Sequence, residues 1–359
     1  MKRVLTVLVL FLSLVVCHSE TRFVNAGVFP VYGKIEAVDG APYERIPAGW
    51  LSDSRAELKW LGSCSAGTYI RFRSNSSSIS ARWSTKSTSN GNHFTDTGIR
   101  GLDLYVLTDK GWKFIGAGRP NRNDNTTQSR IIGWMDTTEK EYMMYLPLYE
   151  SLTSLEIGID EDAYIEASLA DSPKRDRQIV MYGTSILQGG CASRPGMAFT
   201  NILSRKLDRE VVNLGFSGNA LLDLEIARFM AMAQNPAIYV LDYCPNATTE
   251  DIKNRAEEFV DILRAAHPDV PILIVDEVYY AYYDYDKAVT STMETKFRAQ
   301  KELVEKLSRK GYKKIYHMER KHALGYDDEG FVDGCHYNDL GMMRYADYLY
   351  PLLKKYMLK

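Results

Sequence analysis

The spacing of apolar residues changes period part-way along the chain, and that change restricts the fold more than any other feature. Up to about residue 170 the period is two. In Tyr69-Ile70-Arg71-Phe72-Arg73, Ile70 and Phe72 share one face while the arginines take the other. Ile79, Ala81 and Trp83 alternate with Ser80, Arg82 and Ser84 in the same way. Shorter runs follow within 101–107, 142–148, 155–157 and 164–166. Strands this short, separated by Gly, Ser, Asn and Asp clusters, indicate an antiparallel β-sandwich. The stretches 87–92 and 121–127 read as polar loops.

Charge and a proline then interrupt the pattern at Asp171-Ser172-Pro173-Lys174-Arg175-Asp176-Arg177. Beyond it, apolar or β-branched runs at 179–182, 211–214, 238–242, 272–275 and 314–317 alternate with helical patterns at 197–207, 222–232, 250–266, 295–310 and 339–356. Five strands each followed by a helix predict a parallel, doubly wound, flavodoxin-like α/β domain covered on both faces. The expected organisation is an N-terminal export segment over 1–19, a β-sandwich over 20–170, a linker over 171–177 and the α/β domain over 178–359. Ligands of such a sheet bind at the carboxyl ends of its strands.

A formal net charge of -2 over 359 residues carries no basic footprint, so nucleic acid is not an expected partner. At the N-terminus, Lys2 and Arg3 precede an apolar stretch over 4–16, then Cys17, His18 and Ser19. That stretch falls short of the roughly 20 residues that span a bilayer, and it reads as a cleaved export signal. A lipid-modified Cys17 is the competing reading, set against Val16, which is bulky where a small residue is usual. No other segment is apolar for long enough to cross a membrane. Export leaves Cys64, Cys191, Cys244 and Cys335 in an oxidising compartment, where three pairings or free buried thiols are all open.

The strand ends hold the chemistry. The first strand runs into Gly183-Thr184-Ser185-Ile186, where a serine on a tight strand-to-helix turn exposes its hydroxyl beside helix-start N–H groups, or merely caps the turn. The second runs into Asn213-Leu214-Gly215-Phe216-Ser217-Gly218-Asn219, whose glycines allow close backbone approach or simply make the turn. Ser217 lacks the spacing of a nucleophile elbow and ranks below Ser185. The third runs into Tyr243-Cys244-Pro245-Asn246, and Asn246 either donates to an oxyanion or caps the next helix with Thr248 and Thr249. Before the last helix comes Asp333-Gly334-Cys335-His336, where a carboxylate three residues from a histidine can hold its tautomer and stabilise its cation. His93, His267, His317 and His322 have no comparable context and read as surface or helix-end residues.

These four segments, in this order, resemble the signature blocks of the SGNH (GDSL-type) hydrolases. The resemblance implies Ser185 as nucleophile, Asp333 and His336 as its partners, and the Ser185 and Gly218 N–H groups with the Asn246 amide as the oxyanion hole. Residues 189–196, Gly-Gly-Cys-Ala-Ser-Arg-Pro-Gly, and residues 339–342, Asp-Leu-Gly-Met, are similar to a two-domain esterase branch of that family. Its N-terminal domain carries a Gly-x-Asp-Leu-Tyr motif, matched by Gly101-Leu102-Asp103-Leu104-Tyr105. Thr184 stands where the family name has Asp, and Tyr337 where a proline often follows the histidine; neither position carries a proton in the mechanism.

The implied activity is carboxylic ester hydrolysis by two-step acyl transfer, with no cofactor. No Cys/His cluster has metal spacing along the chain, so no metal is expected. Glu277, Tyr279 and Tyr280, after the fourth strand, are candidate substrate contacts that could stack on sugar rings, or could instead pack a domain interface. An exported member with an appended sandwich most resembles acetyl esterases of carbohydrates, so an acylated carbohydrate is the expected partner. The alternatives are a lysophospholipase or thioesterase with the same triad, and a carbohydrate-binding protein on a decayed scaffold.

Overall fold

The computed structural model describes residues 20–36, 41–88, 91–319 and 321–358. The export segment and Cys17 lie outside them. Ten strands form the N-terminal part: β1 (Thr21–Asn25), β2 (Val31–Tyr32), β3 (Tyr69–Ser74), β4 (Ile79–Thr85), β5 (Leu102–Thr108), β6 (Gly111–Gly118), β7 (Thr126–Ile132), β8 (Lys140–Tyr145), β9 (Leu152–Asp160) and β10 (Ile165–Ala167). They make one sheet in the order β1-β9-β4-β7 and a second in the order β10-β3-β8-β5-β6, with β2 on β3. Alternation explains why the sheets face one another. Ile70, Phe72, Leu102, Leu104, Tyr142 and Met144 of the second sheet share a core with Ala81, Trp83, Leu155 and Ile157 of the first. The pattern along the chain did not announce β6 or most of β7. Both pair with a single neighbour and are largely half-exposed, so neither needs a clean apolar face.

The second part is a five-stranded parallel sheet of β11 (Lys174–Gly183), β12 (Arg209–Gly215), β13 (Pro236–Asp242), β14 (Ile272–Val275) and β15 (Ile315–Met318), in the order β12-β11-β13-β14-β15. The central runs of these strands are apolar because both faces are covered there; β11 is apolar and buried only from Ile179 onward. Val180 and Tyr182 of β11 pack with α5 (Leu224–Met230), α6 (Thr249–Ala266) and α7 (Lys287–Arg309). Ile179 and Met181 pack with α4 (Phe199–Leu207) and α8 (Asp339–Tyr356) on the other side. The earlier helices are α1 (Ala56–Ser63), α2 (Asp96–Arg100) and the single-turn α3 (Ser185–Gln188). The 171–177 segment, expected as a linker, already contains the start of β11: Lys174 pairs with Arg209 before a register shift ahead of Ile179.

The second sheet of the sandwich is buried on its outer face as well. Tyr69, Tyr105, Met143 and Tyr145 form a small cluster there, and the Arg205 guanidinium of α4 lies 4.4 Å from the Tyr105 ring centre. Alternation along 101–105 thus has two destinations. Leu102 and Leu104 fill the sandwich core. Asp103, fully buried, accepts from Arg194 Nη1 at 2.6 Å and from the Gly196 N–H at 2.8 Å, and the same Arg194 nitrogen donates to the Tyr105 hydroxyl at 2.8 Å. Any side chain at Gly196 would collide with Tyr105 and Asp103. This clasp is the physical meaning of the Gly-x-Asp-Leu-Tyr motif here.

Candidate active site

The strand order reverses at β11, which has β12 on one side and β13 on the other. A crevice opens outside the carboxyl ends of strands at such a point. Ser185 lies there because β11 ends at Gly183 and α3 starts two residues later, with the Thr184 side chain accepting the Ile186 N–H at 3.3 Å. Thr184 is therefore the cap and Ser185 is released from that role. The Ser185 carbonyl accepts from the Gly189 and Gly190 N–H groups at 3.1 and 2.7 Å and from the Tyr149 hydroxyl at 3.1 Å. Its position is fixed from both domains.

Ser185, His336 and Asp333 come together in line. Ser185 Oγ is 2.9 Å from His336 Nε2, and His336 Nδ1 is 2.8 Å from Asp333 Oδ2. The second oxygen, Asp333 Oδ1, accepts the N–H groups of Cys335 at 3.0 Å and His336 at 2.7 Å. The three-residue spacing thus closes a loop in which backbone and ring both donate to one carboxylate. Partial burial pushes the Asp333 carboxyl up, but the donors from His336 and Cys335 outweigh it and hold the group down at about 2. It stays anionic at any ordinary pH and accepts from the Nδ1 side of the ring, an arrangement in which Nε2 can act as a base toward Ser185 Oγ.

The expected oxyanion donors surround the same turn. Gly218 has φ +67, and a Cβ there would meet nothing, so its left-handed backbone rather than crowding calls for glycine. On either side of it the Ser217 N–H bonds Gln188 Oε1 at 3.0 Å and the Asn219 N–H bonds the Phe216 carbonyl at 2.9 Å. Asn246 Oδ1 accepts the Ala220 N–H at 3.2 Å, which orients the amide with its Nδ2 end as donor. Asn246 does not cap the next helix. Thr248 does, in a reciprocal capping box with Asp251.

Glu277 differs from its expected place against substrate, and the half-buried Tyr280 is bonded to it. Glu277 is 2% exposed. Its Oε2 accepts the Tyr280 hydroxyl at 2.6 Å, and Lys296 Nζ stands 3.5 Å from Oε1. Lys296 also donates to the Cys244 and Pro245 carbonyls at 2.9 and 3.3 Å, just before Asn246. Next to Tyr280, the Ala281 N–H bonds the Gly334 carbonyl at 3.0 Å, between Asp333 and His336. A buried ion pair therefore links the Asn246 loop to the Asp333–His336 loop. Burial pushes the Glu277 carboxyl up, with Lys296 opposing it. Tyr279 stacks on His322, ring centres 4.6 Å apart.

The chain pattern missed His93. It belongs to the loop before α2, and its ring lies 5.5 Å from that of His336, with Nε2 3.9 Å from Asp333 Oδ2. Interdomain packing brings it there: Phe94 meets Tyr149 edge-on at 4.8 Å, while Thr95 and Thr97 donate to the Ser193 carbonyl. No local motif marks such a residue. His317 also departs from the surface reading, with Nε2 2.9 Å from buried Asp276. The four cysteines described are free thiols, so none of the three pairings is formed. Burial pushes Cys191 up to about 12 and Cys335 up to about 11. Beside Ser185 and His336, Trp60, His93, Phe94, Tyr149, Ser217 and Asn219 help to line a pocket of about 310 Å³ walled by both domains.

Residues 176–354 match the model of the GDSL-like Lipase/Acylhydrolase family, and residues 21–165 match the GxDLY model, the N-terminus of Esterase_SGNH_hydro-type. A GDSL-like lipase structure from Bacteroides ovatus is 35% identical, with a TM-score of 0.89 over 94% of this chain and 99% of that one. A salicylyl-acyltransferase from a tetracycline biosynthetic pathway shares the fold at 17% identity, with a TM-score of 0.72 over 91% and 95% of the two chains. So does a family two carbohydrate esterase from Clostridium thermocellum, solved with cellohexaose, at 13% identity and a TM-score of 0.57 over 81% and 92%. No curated protein matches the chain. The chain is a carboxylic ester hydrolase and belongs to the GDSL-like lipase/acylhydrolase family.

Proposed function

We propose that the protein is an exported serine esterase that removes acyl groups, acetyl foremost, from carbohydrates. The observation that carries the chemistry is the unbroken relay from Asp333 Oδ2 through the His336 ring to Ser185 Oγ. His336 Nε2 takes the hydroxyl proton as Oγ attacks the ester carbonyl, and the ring then returns it to the departing alcohol oxygen. The Ser185 and Gly218 N–H groups with Asn246 Nδ2 receive the negative charge that develops on the carbonyl oxygen. Water attacks the acyl-enzyme by the same steps in reverse. Among the described residues no helix is long and apolar enough to cross a membrane. The export reading rests on the N-terminal sequence alone.

The carbohydrate reading is supported by the carbohydrate esterases that share this fold and by the pocket between the domains, where Trp60 is 42% exposed beside the polar Asn219 and Glu57. An exposed indole with polar neighbours suits the face of a sugar ring. Phe94, Ile99 and Leu61 on the same walls favour a second reading, an ester with a larger apolar acyl group. Acetate release from acetylated xylan and hydrolysis of 4-nitrophenyl acetate and butanoate, compared between wild type and Ser185→Ala, decide among these. Loss of all turnover in the variant with acetate release by wild type supports the proposal. Wild type acting only on the small esters rejects the polysaccharide assignment, and a folded wild type that acts on none rejects the triad.

A further inference from the structure

Beyond the ester chemistry, the residues around His336 include a second kind of donor set. His93, Cys191 and His336 each offer a ligand atom, and these atoms lie within 4.8 Å of one another. They come from three separate stretches: the loop before α2 in the sandwich domain, the turn after α3, and the turn before α8. Two imidazoles and a thiol form a borderline-soft set suited to zinc. We propose that this cluster binds one zinc-like divalent cation, and that the bound ion switches the esterase off.

Orientation favours coordination. His93 Nδ1 is 2.6 Å from Asn92 Oδ1, which makes Nδ1 the donor and leaves the Nε2 lone pair for a metal. That Nε2 is 3.9 Å from Asp333 Oδ2. A Cys191 thiolate and the Asp333 carboxylate together would balance the two charges of the ion. The thiol proton leaves to solvent as the sulfur–metal bond forms. Tetrahedral zinc, with bonds of roughly 2.0–2.3 Å, requires ligand atoms about 3.3–3.7 Å apart. The cluster must therefore contract by about 1 Å. His93 is exposed, and rotation of its side chain is the movement that the surroundings leave open. Cys191 is held at φ +67, a backbone conformation that a non-glycine residue adopts only where its surroundings impose it.

The consequence for turnover follows from His336, and this part alone rests on the proposed triad. Coordination through Nε2 takes the lone pair that faces Ser185, and coordination through Nδ1 displaces the Asp333 bond and puts the ring proton on Nε2. Either way the ring cannot take the Ser185 proton, and two positive charges oppose the imidazolium that must form. Removal of a general base costs about 10²–10⁴-fold in rate, and inhibition on that scale is expected at saturating zinc.

Binding is tested on Ser185→Ala protein, which cannot turn over, by titration with Co²⁺ as a spectroscopic substitute. One cobalt per chain is expected, with a thiolate-to-cobalt charge-transfer band that Zn²⁺ displaces and Cys191→Ser abolishes. Absence of the band, or its survival in Cys191→Ser, overturns the site whether or not the protein is an esterase. On otherwise wild-type enzyme, Zn²⁺ should inhibit, EDTA should restore the rate, and His93→Gln should escape inhibition relative to its own metal-free rate. Equal inhibition of His93→Gln overturns the proposal. Because His93 is exposed, that variant carries the test even if Cys191→Ser fails to fold.

Discussion

Each residue of the proposed relay has a partner that fixes it, so its contribution can be separated from the fold. Asn246 is half-buried, and only its Oδ1 takes part in holding the neighbouring turn, through the Ala220 N–H. Asn246→Ala should therefore lower kcat by about 10²–10³-fold, the loss of roughly 2.7–4 kcal/mol of transition-state stabilisation, with the circular dichroism spectrum unchanged. Unaltered kinetics would remove Asn246 from the oxyanion hole. Asp333 makes a different prediction, through pH. Its carboxyl is held down at about 2 against an ordinary 3.8, so the unfolded chain binds the proton more readily. The stability it contributes is complete above about pH 4 and is lost as pH falls through about 2. Asp333 therefore remains charged across the assay range, and no acid limb in kcat/KM above pH 4 belongs to it. Asp333→Asn should leave the His336 ring free to take the wrong tautomer and cost about 10⁴-fold in kcat. A loss below tenfold would show that the carboxylate does not orient the ring.

At the scale of elements, the site was legible in the chain where chemistry sits at a strand end and obscure where it depends on what packs beneath. Ser185, Gly218, Asn246 and His336 follow strands or precede a helix whose apolar runs are long and continuous, because both faces of the parallel sheet are buried. Edge strands β6 and β7 lack that constraint and merged with loops. α7 begins at Lys287, well before the expected 295, because Asp286 accepts the Ala288 and Val289 N–H groups and starts the helix within a polar stretch. Glu277 was placed against substrate for its position after β14, yet its charge is answered from α7 by Lys296. Such a pairing between elements leaves no trace in local spacing. Its role can be tested. Glu277→Gln leaves Lys296 as a buried unpaired charge and should destabilise the protein by about 3–5 kcal/mol. If the pair positions the Asn246 and His336 loops, kcat should also drop by up to about 10²-fold with KM little changed. Adding Lys296→Met removes the stranded charge and should restore the melting temperature but not kcat. Recovery of both together would reduce the pair to a packing role.

At the scale of the molecule, the sandwich is part of the site. Arg45 is buried and donates to the Asn213 and Gly215 carbonyls, each at 2.9 Å, at the end of β12. Arg55 bonds Asp223 at 2.6 Å and also holds Asn219, beside Gly218. Tyr149 holds the Ser185 carbonyl, and His93 stands next to His336. The N-terminal domain thus braces the turns that carry the proposed nucleophile and one proposed oxyanion donor, which two periodic patterns read separately could not reveal. Asp103 and Arg194 tie the halves together, and both are too distant along the chain for their pairing to be inferred from spacing. Asp103→Ala leaves Arg194 without its carboxylate and the Gly196 N–H without an acceptor. Arg194 is only partly buried, so the loss should fall at or below the roughly 3–5 kcal/mol seen when one partner of a fully buried pair is removed. Differential scanning calorimetry should therefore show the sandwich loosening before the α/β sheet, as two transitions or one much lower one. Turnover should fall in step, since the braced turns lose their support while Ser185, His336 and Asp333 are untouched. A single transition at the wild-type temperature with wild-type kcat would show that the two domains touch without depending on each other.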